Sequence, residues 1–168
     1  LTLNVLLSFA QFEREVTAER IRDKLAASAK RGLWMGGLAP LGYDPHPDPN
    51  TRELVLNKEE AEQVQRIFDL YDEHRCLGHV ARQAELEGLR SKRRTFKSGK
   101  SLGGCVMSRG AIHSLLTNPV YRGMIRHKEN AYPGNHPAII VEALWDRIQE
   151  ALITKSGRQR GQGNSREQ

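Results

Sequence analysis

The sequence predicts a mainly α fold, in which a long N-terminal helix precedes a small helical domain with a short antiparallel β element. A segment of about 30 residues without glycine or proline predicts the long helix. Further apolar stripes at helical spacing predict the small domain. A proline-rich turn before a short apolar run indicates the β element.

The long helix is predicted over residues 2–31. Apolar residues recur there near helical spacing, at Leu6, Phe9, Phe12, Val16, Ile21 and Leu25. The first half is apolar and the second half is charged, so the helix is not expected to bury itself. We expect it to leave one domain and run toward another. Gly32 ends it, and the glycines and prolines of residues 34–40 exclude regular structure.

The domain that follows is predicted to contain four helices and short strands. Asn57 and Glu60 form a capping box before an apolar stripe that ends at Tyr71. The other helices are expected at 79–87, 109–117 and 141–153, and strands at 52–56 and 120–127, with a loop at 130–137. The predicted organisation is a helix over 1–31, a linker over 32–40, a domain over 41–153 and a disordered tail over 154–168.

Charge is distributed unevenly along the chain. The protein has 26 Lys and Arg against 20 Asp and Glu, a net charge of +6. Residues 32–72 have a net charge of −5, whereas residues 73–110 have a net charge of +6. A basic block behind an acidic segment is typical of polyanion binding, although a solvated basic loop explains the charge equally well.

Several functional classes find no support in the sequence. No apolar run approaches the roughly 18–20 residues of a membrane span. Two cysteines make no disulfide framework, and this fits a reducing cytosol and a cytoplasmic protein. His74, Cys76 and His79 do not have zinc-site spacing, so no metal is expected. No nucleophile elbow or phosphate loop occurs, and no cofactor is expected.

The helices at 79–87 and 109–117 predict a helix-turn-helix with an unusually long, basic turn. In the second helix, Arg109, Gly110, His113 and Ser114 are predicted to lie on the outer face. For an isolated helix, a solvated face with local ion pairs to Glu15, Glu19 and Asp23 is the favoured explanation of the basic residues of the first helix. The candidate polyanion-contacting residues are Arg14, Arg20, Lys24, Lys30, Arg31, Trp34, Arg90, Lys92, Arg93, Arg94, Lys97, Lys100, Arg109 and His113.

Five motifs together resemble the large serine recombinases of the phage integrase and transposon type. They are the runs at residues 6–15 (LLSFAQFERE), 40–43 (PLGY), 116–123 (LTNPVYRG), 136–140 (HPAII) and 144–145 (LW). The first, continuing through residues 19–24, looks like the end of the catalytic domain, where the family has its long dimerisation helix. The others look like the recombinase domain that follows it.

The resemblance implies a fragment that recognises attachment-site DNA for integration or excision. Its partners would be double-stranded DNA and, through the long helix, other copies of the full-length protein in a dimer or tetramer. The family's nucleophilic serine lies before residue 1, so we expect no catalytic residue here and no strand exchange by this chain alone. The alternative is a basic helical RNA-binding or adaptor module without a recombination role.

Overall fold

A computed structural model describes residues 2–48, 50–96 and 98–161, and the side chains of 7–48, 50–96 and 98–154. The helices are α1 (Thr2–Lys30), α2 (Lys58–His74), α3 (Leu77–Leu86), α4 (Arg109–Leu116), a 3₁₀ helix (Pro119–Arg122) and α5 (Glu142–Gly161). The strands form three antiparallel pairs: β1 (Tyr43–Pro45) with β2 (Leu54–Leu56), β3 (Arg94–Thr95) with β4 (Ser101–Leu102), and β5 (Met124–His127) with β6 (Asn130–Pro133). The mainly α fold is therefore confirmed. Within the described residues, none of the helices combines the length and hydropathy that a bilayer span requires.

The long helix α1 meets the rest of the protein only near its C-terminal end in the part of the chain that is described. Ser28 and Ala29 are buried, whereas Phe9 and Phe12 are exposed. Gly32 has a φ of +72°, and a side chain there would collide with the carbonyl of Pro133 in β6 and with Asn135. Glycine is therefore required where α1 ends, because the chain turns directly against the β5–β6 hairpin.

One apolar core joins the remaining elements. Among its members are residues of β1, α2, α3, α4, the 3₁₀ helix and α5: Tyr43, Val64, Ile67, Phe68, Tyr71, Val80, Ile112, Leu116, Tyr121, Trp145 and Ile148. The predicted inward face of α4 is confirmed, because its apolar residues lie in the same cluster as those of α2 and α3.

Tyr43 connects distant segments inside this core. Its hydroxyl donates to the carbonyl of Pro137 at 2.8 Å, and its ring contacts the His136 ring edge-on at 5.2 Å between centroids. His136 is buried, and its Nε2 lies 2.8 Å from the carbonyl oxygen of Val120. A carbonyl oxygen only accepts, so Nε2 carries the proton of this hydrogen bond.

Lys92 fixes the connector between α3 and α4 to the β1–β2 hairpin and to the start of α2. Its Nζ lies 2.7 Å from Asp44 and 2.5 Å from Glu60, and only 9% of its side chain is exposed. Asn57 caps α2 by accepting from the Glu60 backbone N–H and donates to Asp44 at 2.8 Å. Burial raises the pKa of Asp44, but hydrogen bonds from Lys92 and Asn57 outweigh it and lower this pKa below its usual value.

Outside the basic connector, three segments differ from the secondary structure that the sequence predicts. The predicted strand at 120–127 begins as a 3₁₀ helix, because Asn118 caps Val120 and Pro119 favours helical geometry. The predicted loop at 130–137 begins as β6, because Lys128 turns at a φ of 54° and returns the chain beside β5. Residues 154–161 continue α5, which the sequence predicts to end at residue 153. Residues 162–168 lie outside the described part.

We predict that His136 makes the stability of the fold depend on pH. Burial lowers the pKa of His136 in the folded protein below the ordinary value of 6.5. Between the folded pKa and 6.5, the unfolded chain therefore binds more protons than the folded protein does. The free energy of unfolding should therefore fall as the pH drops below about 6.5. Urea unfolding at about pH 7.5 and about pH 5 measures this, and His136→Gln should flatten the dependence. An equally steep loss in that variant would assign it to other groups.

We predict that Lys92→Met destabilises the fold, because it leaves Asp44 and Glu60 facing each other without a counter-ion. The expected loss is about 3 kcal/mol, the lower end for breaking a buried ion pair, since Asp44 is half-exposed. The matched control is Arg93→Met on the neighbouring exposed residue, expected within about 0.5 kcal/mol of wild type. Urea unfolding compares them. Equal midpoints for the two variants would contradict this role for Lys92.

Candidate nucleic-acid interface

Helix α4 presents a polar outer face over its buried apolar face. Arg109, Gly110, His113 and Ser114 are all exposed, as predicted. Ser108 caps the helix, and its hydroxyl accepts from the backbone N–H of Ala111 at 3.2 Å. The first turn of α4 therefore combines an exposed guanidinium with the positive end of a helix dipole, an arrangement that favours contact with anions.

The start of α3 lies beside the start of α4. A side chain at Gly78 would lie 3.7 Å from Cδ of Arg109, so the arginine passes over the backbone of α3 at this glycine. Arg82, one turn further along α3, is exposed. Arg82 is not among the residues predicted from the sequence, because the local pattern does not show which face of α3 lies beside α4.

The basic connector is a β-hairpin rather than an irregular turn. Arg90 pairs with Val106, the Ser91 N–H donates to Cys105 at 2.9 Å, and β3 pairs with β4 further out. A glycine is required at 103, because its φ is +92° and a side chain there would collide with the carbonyl of Lys92. Met107 is then buried, and α4 begins two residues later. The hairpin therefore leads directly into α4.

Basic residues of the first hairpin strand alternate between inward and outward positions. Arg93 is exposed, with its side chain against Gly104. Lys100 on the return strand is also exposed. Lys92 and Arg94 point inward, and so does Arg90, which buries one guanidinium nitrogen without a hydrogen-bond partner in the described structure. The period-2 alternation of an extended strand accounts for this division.

Two of the inward residues, Lys92 and Arg94, bind groups of the protein itself. Lys92 binds Asp44 and Glu60, so the prediction that it contacts a polyanion is not retained. Arg94 donates to the carbonyl of Ala39 and so holds the linker against the hairpin. Lys97 lies outside the described residues.

At the base of the hairpin, an ion pair holds the end of α3 to α2. Arg66 donates to both carboxylate oxygens of Glu87, at 2.7 and 2.8 Å. These hydrogen bonds lower the pKa of Glu87 to about 2. The carboxylate therefore stays ionised across the physiological range, and its charge is matched by Arg66.

The linker is docked onto the domain at both ends. Trp34 is half-buried against the core, and its backbone N–H donates to Arg52 at 2.7 Å. At the other end Ala39 is buried. Between them Gly36 and Gly37 have positive φ angles and nothing within 4 Å of a hypothetical side chain, and Leu38 is exposed. Trp34 is therefore mainly an anchor for this exposed loop.

Along α1 the predicted basic residues are all exposed: Arg14, Arg20, Lys24, Lys30 and Arg31. The structure brings Lys30 and Arg31 close to the domain, whereas Arg14 and Arg20 lie several turns away along the helix.

The His74 and His79 rings lie 4.2 Å apart between centroids, on either side of Cys76. Among the described residues, no three histidine, cysteine, aspartate or glutamate side chains come together in a way that could hold a metal ion. This pair therefore belongs to the polar surface around the start of α3.

Two known structures share this fold. One is the crystal structure of a complex between DNA and an LSR, a large serine recombinase. The chain aligns with it with a TM-score of 0.66 and 22% identity, over 82% of this chain and 40% of that one. It aligns with a structure reported on the sequence requirements of the Listeria innocua prophage attP site, with a TM-score of 0.64 and 23% identity, over 92% of this chain and 57% of that one. The chain thus spans about half the length of these proteins.

The family model described as Recombinase matches residues 58–155. This region begins at the first residue of α2 and includes α3, the basic hairpin, α4 and most of α5. Because the match covers more than half of the chain, the protein belongs to the Recombinase family.

Proposed function

We propose that this chain is the DNA-binding portion of a site-specific serine recombinase and that it recognises attachment-site DNA. The observation that carries the proposal is the outer face of α4, which is polar, exposed and basic at its first turn. A helix anchored by its apolar face that presents its N-terminal residues outward has the geometry of a recognition helix in the major groove. Membership of the Recombinase family and the fold shared with an LSR–DNA complex support it.

In this proposal α4 reads bases and the hairpin contacts phosphates. Arg109 would make the bidentate contact to guanine, with His113 one turn further along the helix. Arg93 and Lys100 are exposed on the hairpin and would neutralise phosphates without reading sequence. The linker loop at 35–38 would lie across the adjacent minor groove, with Lys30 and Arg31 beside it.

The long helix α1 would serve assembly in the full-length protein. Its first half exposes Leu7, Phe9 and Phe12, and an exposed apolar surface of this kind on a long helix favours association with another helix. We propose that residues 1–31 end a catalytic domain, that 32–40 form the linker and that 41–153 form the DNA-binding domain. Strand exchange would then require the nucleophilic serine of that catalytic domain.

We predict that Arg109→Ala relaxes sequence preference at one or two positions of the bound site, at a cost of roughly 1–3 kcal/mol there, because one bidentate base contact is lost. The site is first defined by selecting duplexes from a randomised pool with the wild-type chain. Affinities for all single-base variants of that site are then compared between the two proteins.

The control for Arg109 is Arg147→Ala on α5, which leaves Asp72 paired with Arg75. This variant should keep the wild-type preference at every position. A loss for Arg109→Ala that is uniform across all base variants would refute base reading by α4. Failure of the wild-type chain to bind any duplex, or equal binding to single-stranded RNA, would refute the proposed function.

We predict that Arg93→Ala weakens binding to all duplexes alike and lowers the slope of log K against log salt by about one, because one phosphate contact is lost. Titrations from about 50 to about 200 mM salt measure the slope. Lys58→Ala, an exposed lysine at the start of α2, is the control and should leave the slope unchanged. An unchanged slope for Arg93→Ala would mean that the hairpin faces solvent.

A further inference from the structure

The end of α1 is joined to the rest of the protein by contacts on both sides of Gly32. Before this glycine, Ser28 and Ala29 are buried, and α1 packs against β5 and β6. After it, the backbone N–H of Trp34 donates to the carbonyl of Arg52 at 2.7 Å. Although Ala29 is fully buried, it lies outside the main apolar core. These contacts therefore form a separate connection, which we call the α1 joint.

At Gly32 itself the end of α1 touches the loop that follows β6. The backbone N–H of Asn135 donates to the Gly32 carbonyl at 3.1 Å. A Cβ at Gly32 would lie 2.5 Å from the carbonyl oxygen of Pro133 and 2.9 Å from the side-chain oxygen of Asn135. The side-chain amide of Asn135 in turn donates to Glu53 at 3.2 Å. The two segments are therefore packed backbone to backbone, with no space for a side chain between them.

The loop that receives α1, residues 134–137, is itself anchored in the core. His136 is buried and forms a hydrogen bond with the Val120 carbonyl, and the Tyr43 hydroxyl donates to the Pro137 carbonyl, both at 2.8 Å. The loop is thus held by the 3₁₀ helix and by β1. A helix that ends on such a loop cannot change its direction without breaking contacts that several elements share, because packed interiors do not deform continuously.

Beyond the joint, α1 projects away from the domain. Among the described side chains from Leu7 to Lys24, those of Val16 and Ala18 are half-buried and the others are exposed. At 1.5 Å per residue, Leu7 lies roughly 38 Å along the chain direction from Gly32. A rotation of about 20° at the joint would therefore displace the far end of the helix by roughly 13 Å. The joint thus controls the position of a long lever.

We infer that the α1 joint is rigid and that it fixes the direction of α1 relative to the DNA-binding domain before any DNA is bound. Resting on the proposed function, this direction sets the distance between two DNA-binding domains when two copies associate through α1. The joint would thereby select the spacing between the two halves of the bound site, since the geometry of a dimer determines half-site spacing. Gly32 and Asn135 are positioning residues in this scheme, because they act through α1.

Distances between spin labels on α1 and α2 measure the direction of α1 in the free chain. The labels are attached to Thr17→Cys and Gln65→Cys, at two exposed positions, after the exposed Cys76 and Cys105 have been replaced by serine. The labelled chain is diluted with unlabelled chain, so that only distances within one molecule are measured. Pulsed electron paramagnetic resonance should give one narrow distance distribution, and the duplex selected by the wild-type chain should leave its maximum in place.

Gly32→Ala is the test variant, and Gly36→Ala is its matched control. Both glycines have a positive φ, so alanine strains the backbone at either position, but a Cβ at Gly36 would meet nothing within 4 Å. Gly32→Ala should make the distribution at least about twice as wide, because a rotation of about 20° displaces residue 17 by roughly 8 Å. Gly36→Ala should match the wild type. Equally narrow distributions for the two variants would overturn the inference.

Ala29→Asp tests the joint from the helix side and replaces Gly32→Ala if that variant does not fold. It places an unpaired charge in the buried contact with the β5–β6 hairpin but outside the main core, so the domain should stay folded while the distribution widens. An unchanged distribution in a folded Ala29→Asp variant would count against the joint.

The wild-type chain also decides the matter. A broad distance distribution in the free wild-type chain would overturn the inference, because α1 would then move freely. A maximum that moves by more than roughly 8 Å when the duplex is added would also overturn it, since DNA would then set the direction of α1. Failure of the wild-type chain to bind any duplex is a separate result, which refutes the proposed function and leaves the rigidity measured in the free chain unaffected.

Discussion

The ammonium group of Lys92 links the basic hairpin to the β1–β2 hairpin and to α2. It bridges Asp44 on β1 and Glu60 on α2 from a position in the hairpin, which is distant from both in sequence. An ion pair that is this buried does not add stability simply by existing, because each charge loses hydration when it leaves water. Its main effect is geometric, since moving Lys92 away would leave two carboxylates facing each other. The hairpin, and α4 which follows it directly, are thereby fixed against the β1–β2 hairpin and α2.

Three of the motifs that carried the family resemblance supply buried residues of the core. Tyr43, Tyr121 and His136 come from three of those motifs and pack together, with ring centroids 5.2 to 6.1 Å apart for the two pairs that involve Tyr43. Gly42 has a φ of +91°, and a side chain there would lie 2.6 Å from Ile139. Such residues identify the fold because substitution is costly at closely packed buried positions.

The positions of the helices follow from the sequence, whereas the partners of individual basic residues do not. The stripes of α2 and α4 are set by a 3.6-residue period and by the caps Asn57 and Ser108, which are local properties. The β3–β4 hairpin was not predicted, because each of its strands has only two residues. It also depends on Gly103, whose backbone lies so close to the Lys92 carbonyl that no side chain fits there. A run of basic residues does not show which members meet acidic partners, and Asp44 and Glu60 are 48 and 32 residues from Lys92. That pairing is a tertiary property.

The alternation along the first hairpin strand explains how one short segment can serve both the fold and a ligand. Side chains on one face, those of Lys92 and Arg94, hold β1, α2 and the linker in place, while Arg93 on the other face stays in solvent. A one-residue slip of this strand would expose Lys92 and Arg94 and bury Arg93. The fold therefore enforces the register that the proposed interface needs. The net charge of the segment therefore overstates the number of cations available to a polyanion. The Ala39 contact of Arg94 also makes the position of the linker depend on the hairpin, so that in the proposed complex the two would engage DNA as one unit.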